Sequence, residues 1–318
     1  MVKNRDVIKD VTPLLPDRIS YRINNLPQLI KDSIQEIRLR SNKPVILECS
    51  QNKTYYLTDK SHTEEFFTNI NYILSYKNDL TEIFSKACIY SVYNRQNEIS
   101  KGFVTIAGGH RMGITGTAVY NNGELINVKD ITSLNIRISR EFINCSKDLF
   151  SKLKEDFSSL LICGKPSSGK TTLIRDIARK LSVDYRKKVC VIDSRNEISA
   201  TYRGEITNDL GTCDVFSQYQ KTEAIVQAVR NMSPDFIVCD EIVTPQEINA
   251  ISQGVNTGVN FIVTVHCSSV EELMNKPLFK NLLSLNAFEN AVILKDRDAP
   301  CQIDRIINIK DFTVNNAN

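Results

Sequence analysis

No run of apolar residues in this chain approaches the length needed to span a bilayer. The first twenty residues, MVKNRDVIKDVTPLLPDRIS, lack the apolar stretch of a secretory signal. These absences predict a cytosolic protein whose contact with any membrane is peripheral. A charge excess is missing as well: 40 lysines and arginines face 37 aspartates and glutamates, a net charge of +3. That is too small to argue for nucleic acid as a partner, and the aromatics are scattered rather than set as stacking platforms in a basic groove. Cysteine occurs nine times but never as CxxC. Cys163, Cys190 and Cys239 lie inside apolar, strand-like runs. The expected state is therefore a buried, reduced thiol that packs as a small hydrophobe, and not a disulfide or zinc framework. There are no internal repeats, no low-complexity segments and no amphipathic helix with a strongly basic face.

What is present suits two globular domains. The chain has 318 residues, 42% apolar and 24% charged, enough for cores of ordinary size. Residues 17–34 carry apolar positions at helical spacing, 36–40 alternate like a strand, and 44–48 read as its hairpin partner after a turn at 41–44. Stretches 64–76 and 80–93 are expected to be helical, and 102–107, 111–119 and 133–139 to be strands, with a turn at 121–123. From about residue 144 the pattern changes to continuous apolar strands (159–163, 188–193, 235–240, 260–266) alternating with helices (170–181, 222–232, 245–254). That pattern implies a mainly parallel sheet covered on both faces. The expected organisation is an α+β domain over 1–143 and an α/β domain over 144–318, with 313–318 frayed.

The first strand of the second domain runs into GKPSSGKTT, residues 164–172, which fits G-x-x-x-x-G-K-[ST] in full. By composition the bare pattern arises by chance in roughly one chain of this size in a hundred, so its place between an apolar strand and a helix is what makes it specific. Gly164 and Gly169 permit the backbone turns that aim the loop's amides around phosphate oxygens, with Lys165, Pro166, Ser167, Ser168 and Thr172 as the remaining candidate binding residues of the loop. Lys170 reaches the β- and γ-phosphates, and the Thr171 hydroxyl is a Mg²⁺ ligand. The segment PDFIVCDE, residues 234–241, supplies a second element: a buried strand with Asp240 and Glu241 at its carboxyl end. Asp240 is the candidate metal holder and Glu241 the candidate base for an attacking water. Asp193, Arg195 and Glu197 follow the strand VCVID, and His266 ends FIVTVH, so all gather at one sheet edge. His266 is a candidate for sensing the γ-phosphate or positioning a carboxylate. Arg230, on the helix before the Asp240 strand, is a candidate phosphate contact.

In order along the chain, GKPSSGKTT, VIDSRNEI, VRNMSPDFIVCDEI and QGVNTGVNFIVTVHCSS resemble the secretion ATPases that power type II and type IV secretion and pilus retraction. EIRLRSNKPV, GGHRMGITGTAV and SLNIRISRE, in the first half, resemble more specifically the stage III sporulation branch of that group, from endospore-forming bacteria. The resemblance covers nearly the whole chain. It implies a RecA-like P-loop ATPase core behind a smaller α+β domain, with ATP and Mg²⁺ as substrate and cofactor. It implies rings, expected to be hexamers, at the mother-cell face of the outer forespore membrane. There they would serve a channel built with the other membrane proteins of the same operon.

Under the resemblance, Lys170 and Thr171 match the family's Walker A positions, Asp240 and Glu241 its Walker B, His266 its histidine box, and Asp193 and Glu197 its acidic box. Where the family has Asp-Glu-Arg this chain has Asp193-Ser194-Arg195, which leaves the acidic role to Glu197. By charge alone, Arg111, Arg137 and Arg140 are candidates to act on a neighbour's nucleotide. Two other readings stand beside this one: a nucleic-acid-dependent ATPase on the same core, and a nucleotide-ordered scaffold that needs no turnover.

Overall fold

The computed structural model describes residues 6–91, 95–153, 158–269, 272–273, 280, 282 and 287–309. The chain divides into two compact units, Met1–Arg140 and Glu141–Asn318.

In the first unit the expected helix over 17–34 is two helices, α1 (Asp17–Asn24) and α2 (Gln28–Ser33). Pro27 separates them, because proline has no N–H to donate and forces the preceding residue out of helical geometry. Ile34 then opens β1 (Ile34–Arg40), followed by β2 (Lys43–Pro44), β3 (Ile46–Cys49), β4 (Lys53–Leu57), β5 (His62–Thr63) and β6 (Leu74–Ser75). Next come α3 (Lys77–Ala87), α4 (Gln96–Ile99), β7 (Phe103–Ile106), β8 (His110–Asn121) and β9 (Glu124–Arg137).

The helix expected over 64–76 does not form. Its backbone is drawn into extended pairing: Ile73 N–H donates to Leu57 O at 2.9 Å and Val45 N–H to Ile73 O at 2.9 Å. Its aromatics pack instead on β4, with Phe66 stacked on Tyr72 at 5.0 Å and edge-on to Tyr56 at 5.6 Å. The helix expected over 80–93 is α3, ending at Ala87; positions 92 and 93 lie outside the described residues, as does 313–318. The sheet is antiparallel, in the order β5-β4-β3-β1-β9-β8-β7. The turn at Asn122-Gly123 has both φ values positive, 48° and 81°, the geometry that closes a two-residue hairpin and joins β8 to β9. Ile19 and Ile23 of α1 and Leu80 and Ile83 of α3 are buried with Ile37, Leu39 and Ile136 of the sheet.

The second unit contains α5 (Lys147–Leu153), β10 (Leu160–Cys163), α6 (Lys170–Val183), β11 (Val189–Asp193), β12 (Asp214–Ser217), α7 (Lys221–Asn231), β13 (Phe236–Cys239), α8 (Pro245–Val255), β14 (Asn260–Val265), β15 (Asn290–Leu294) and β16 (Ile303–Asn308). The sheet order is β12-β11-β13-β14-β10-β15-β16, parallel throughout except for the last pair. The expected apolar strands form within two residues of their expected bounds.

Alternation along these strands serves two cores. Leu161, Cys163, Ile237, Cys239, Phe261 and Val263 face α7 and α8, while Leu160, Ile162, Phe236, Val238 and Ile262 face α5 and α6. Each fully buried Ile, Leu or Val side chain contributes about 1.5–3 kcal/mol relative to exposure, so the central strands cannot slip register cheaply. All nine cysteines are free thiols; seven are buried, and Cys145 and Cys301 are partly exposed. No helix among the described residues is long and apolar enough to cross a membrane.

Candidate nucleotide pocket

Parallel strands β10, β11, β13 and β14 all end on one edge of the second sheet, and the polar residues after them converge there. A cavity of about 410 Å³ is lined by Pro166, Ser167, Gly169, Lys170, Thr171 and Thr172, by Arg195 and Glu197, by Asp240 and Glu241, and by His266 and Pro300.

The loop after β10 needs its glycines at two points. A Cβ on Gly164 would meet Ser168 Oγ at 2.4 Å, and one on Gly169, where φ is +91°, would meet the Cys301 backbone nitrogen at 2.6 Å. Helix α6 starts directly after Gly169, so its unpaired first amides and positive dipole end open on the cavity. Lys170 folds back on its own loop, donating to Gly164 O at 2.7 Å and Lys165 O at 2.9 Å, with His266 Nδ1 at 3.3 Å. Burial pushes its pKa down, partly offset by the charges of Asp240 and Glu241. Ser168 Oγ is fully buried and has no hydrogen-bond partner among the described residues.

The two residues expected to hold a metal, Thr171 and Asp240, are in direct contact. Thr171 Oγ1 donates to Asp240 Oδ2 at 2.8 Å, and Thr264 Oγ1 to Oδ1 at 2.5 Å. Thr264 also accepts the Glu241 N–H at 2.7 Å, so one buried hydroxyl aligns both acids. Glu241 has φ +42°, a left-handed backbone that a non-glycine residue adopts at a cost of about 1–3 kcal/mol. Lys221 of α7 restrains it by donating to the Glu241 carbonyl. Glu247 restrains the next residues, accepting the N–H groups of Val243 at 2.8 Å and Thr244 at 2.9 Å. The Glu241 carboxylate lies between Arg195 Nη1 at 2.8 Å and His266 Nε2 at 3.3 Å. Lysine can only donate, so His266 Nδ1 is the acceptor toward Lys170 and the ring proton sits on Nε2, toward Glu241.

The acidic loop after β11 divides its roles. Asp193 is 1% exposed, and its carboxylate accepts the N–H groups of Glu197, Ile198 and Ser199 and the Ser199 hydroxyl. It shapes the turn and does not line the cavity. Arg175 of α6 braces the same turn, donating to Ile198 O at 2.7 Å and Glu197 O at 2.6 Å. The Glu197 side chain is what reaches the cavity.

The sequence pattern of the family described as Sporulation stage III, protein AA matches residues 6–314. The chain belongs to that family. Stage III sporulation protein AA of Bacillus subtilis (strain 168) is 31% identical over 313 residues, covering 96% of this chain and 97% of that protein. Solved structures that match a chain of this family include an ATPase and a pilus retraction motor. The ATPase DotB of Yersinia pseudotuberculosis matches with a TM-score of 0.56, at 16% identity, over 92% of this chain and 80% of its own. The pilus retraction motor PilT, solved with bound ADP, matches with a TM-score of 0.52, at 15% identity, over 84% and 76%. These two likenesses show a shared P-loop ATPase fold, an α/β core with a smaller amino-terminal sheet domain.

Of the residues singled out from the sequence, Lys170, Thr171, Glu197, Asp240, Glu241 and His266 come together at the cavity. Lys165 turns its side chain to Asp296 at 2.9 Å and offers the loop only its backbone. Arg230 is not brought there. It is exposed on the last turn of α7, about 14 Å along the helix axis from Lys221, toward the edge where the strands begin. In the first unit, Arg140 donates to Lys31 O at 2.7 Å and Ile34 O at 3.1 Å, and Arg111 lies over the Phe103 ring at 4.9 Å. Arg137, largely exposed, lies 3.7 Å from Glu36. Sequence reasoning assigned no role to Thr264, Arg175, Lys221 or Glu247. Only Thr264 carried a signal, as the threonine of Thr-x-His.

Proposed function

We propose that this chain is a Mg²⁺-dependent ATP hydrolase that works as a homo-oligomeric ring, expected to be hexameric. It would energise a secretion-like channel between mother cell and forespore, peripheral to the outer forespore membrane, with the membrane proteins of the same operon as partners. The observation that carries the hydrolase reading is the convergence of Lys170, the Thr171–Asp240 pair and Glu241 on one cavity. The sporulation setting rests on the family, and the ring on the resemblance to secretion ATPases.

The residues fit the implied groups. Thr171 and Asp240 present adjacent oxygens, which would hold Mg²⁺ together with water and phosphate oxygens. Mg²⁺ held there would neutralise charge on the β- and γ-phosphates. The buried Ser168 hydroxyl and the first amides of α6 are ready donors for phosphate oxygens. Lys170 exchanges two carbonyls for phosphate, and Glu241 orients the attacking water.

The test is steady-state Mg-ATP turnover over a range of protein concentrations, wild type beside Lys170→Ala and Glu241→Gln. Turnover lost in both variants and rising more steeply than linearly with protein is expected. A protein that stays strictly monomeric with Mg-ATP removes the ring, and turnover that survives Glu241→Gln removes the assignment of the base.

A further inference from the structure

Arg195 is the cation in the cavity that the reading above leaves without a task. Its side chain is 61% exposed, yet its guanidinium is 2.8 Å from Glu241, whose side chain is only 18% exposed. The backbone that carries it is held from several sides. Asp193 takes the N–H groups at 197, 198 and 199, Arg175 takes the carbonyls at 197 and 198, and Asn196 exchanges hydrogen bonds with Thr201 at 2.7 and 2.8 Å. A rigid turn therefore presents a long, solvent-facing side chain to the residue assigned as the base.

Lys170 and Arg195, the Lys and Arg side chains among the described residues that line the cavity, stand in the same situation. Lys170 is satisfied by loop carbonyls and Arg195 by the Glu241 carboxylate. Both line the same cavity as Thr171, which locates the phosphate end of a nucleotide. A triphosphate offers each a more highly charged acceptor than the one it holds, and the guanidinium fork can take two oxygens of a terminal phosphate in place of an ion pair that is open to solvent on its Arg195 side. A diphosphate ends one phosphate short.

We propose that Arg195 is the triphosphate discriminator of this subunit: it holds Glu241 until a γ-phosphate competes for its guanidinium, and its transfer to that phosphate frees Glu241 to orient water. This rests on the nucleotide-pocket reading and adds to it a residue that tells triphosphate from diphosphate and acts within its own subunit.

The test is equilibrium binding of a fluorescent ADP and of a fluorescent β,γ-imido ATP analogue, each with Mg²⁺. The proteins are the wild type, Arg195→Gln, Arg195→Lys, Glu241→Gln and the Arg195→Gln/Glu241→Gln double variant. Arg195→Gln is expected to weaken the triphosphate analogue about tenfold and to leave ADP unchanged, with Arg195→Lys in between. Glu241→Gln removes the competitor for Arg195. It should tighten the analogue severalfold in the wild-type background, and that gain should vanish in the double variant. Equal weakening of both nucleotides by Arg195→Gln, or a Glu241→Gln gain that persists without Arg195, overturns the proposal while leaving the pocket reading intact. A wild-type protein that binds neither nucleotide overturns the pocket reading, and this proposal with it.

Discussion

Asp193 and Glu197 belong to the same acidic motif, and the structure separates what each does in a way that can be measured. Asp193 Oδ1 accepts the Glu197 N–H at 2.8 Å, and Oδ2 accepts Ile198 N–H at 3.1 Å, Ser199 N–H at 2.8 Å and the Ser199 hydroxyl at 2.7 Å. Asp193→Asn keeps the shape and replaces one acceptor with a donor. In its better orientation the amide NH₂ faces only the half-buried Glu197 N–H, so these two donors oppose each other with no acceptor between them, at a cost of about 1–3 kcal/mol. The other three bonds lose their charge assistance, which brings the total to about 2–4 kcal/mol. For a unit of this size each kcal/mol moves the midpoint about 2–4 °C, so the expected fall in Tm is about 4–16 °C. Glu197→Gln leaves that network untouched and should move Tm by less than about 2 °C while abolishing turnover. The assay is differential scanning calorimetry of both variants, paired with Mg-ATP turnover at a temperature where each is folded. An Asp193→Asn protein with wild-type Tm and no turnover would refute the division, because Asp193 would then have to act on the chemistry directly.

Gly169→Ala should abolish binding of a fluorescent nucleotide. The added methyl meets the Cys301 backbone nitrogen at 2.6 Å at a φ of +91°, and backbone cannot yield as a side chain would. Burial alone would raise the Asp176 pKa, but bonds from Ser146, Asn144 and Arg179 outweigh it and hold it below the ordinary carboxylate value. Its stabilisation is therefore complete above the unfolded value near ~4 and is lost as pH falls through the lower folded value. Asp176→Asn should unfold in less urea than wild type at pH 7, with the gap closing in acid. The Cys301 thiol is held below its usual pKa by a hydrogen bond from Cys145, with the Arg175 charge assisting. Burial pushes Cys190, Cys213 and Cys239 up to about 12. Iodoacetamide at pH 7.5, read by peptide mass spectrometry, should label Cys301 first and those three only after unfolding.

Much of the second unit was legible along the chain because its signals are local. A strand buried on both faces reads as an unbroken apolar run, and GKPSSGKTT carries its chemistry in consecutive residues, where glycine, lysine and threonine have nearly obligatory places. Asp240 and Glu241 were readable for the same reason, as acids at the end of such a run. The first unit was less legible. A composition compatible with helix over 64–76 was overruled by β pairing of Ile73 to Val45 and Leu57, partners 28 and 16 residues away, which no local pattern encodes. Only the tertiary structure decided the wiring of the site. It set Arg195 against Glu241, turned Asp193 inward to shape a turn, and placed Thr264 between two acids. It also carried Arg230 to the far end of its helix. Parallel strands separated by whole helices bring these side chains to one edge, and the distances that define their roles exist only after that edge has formed.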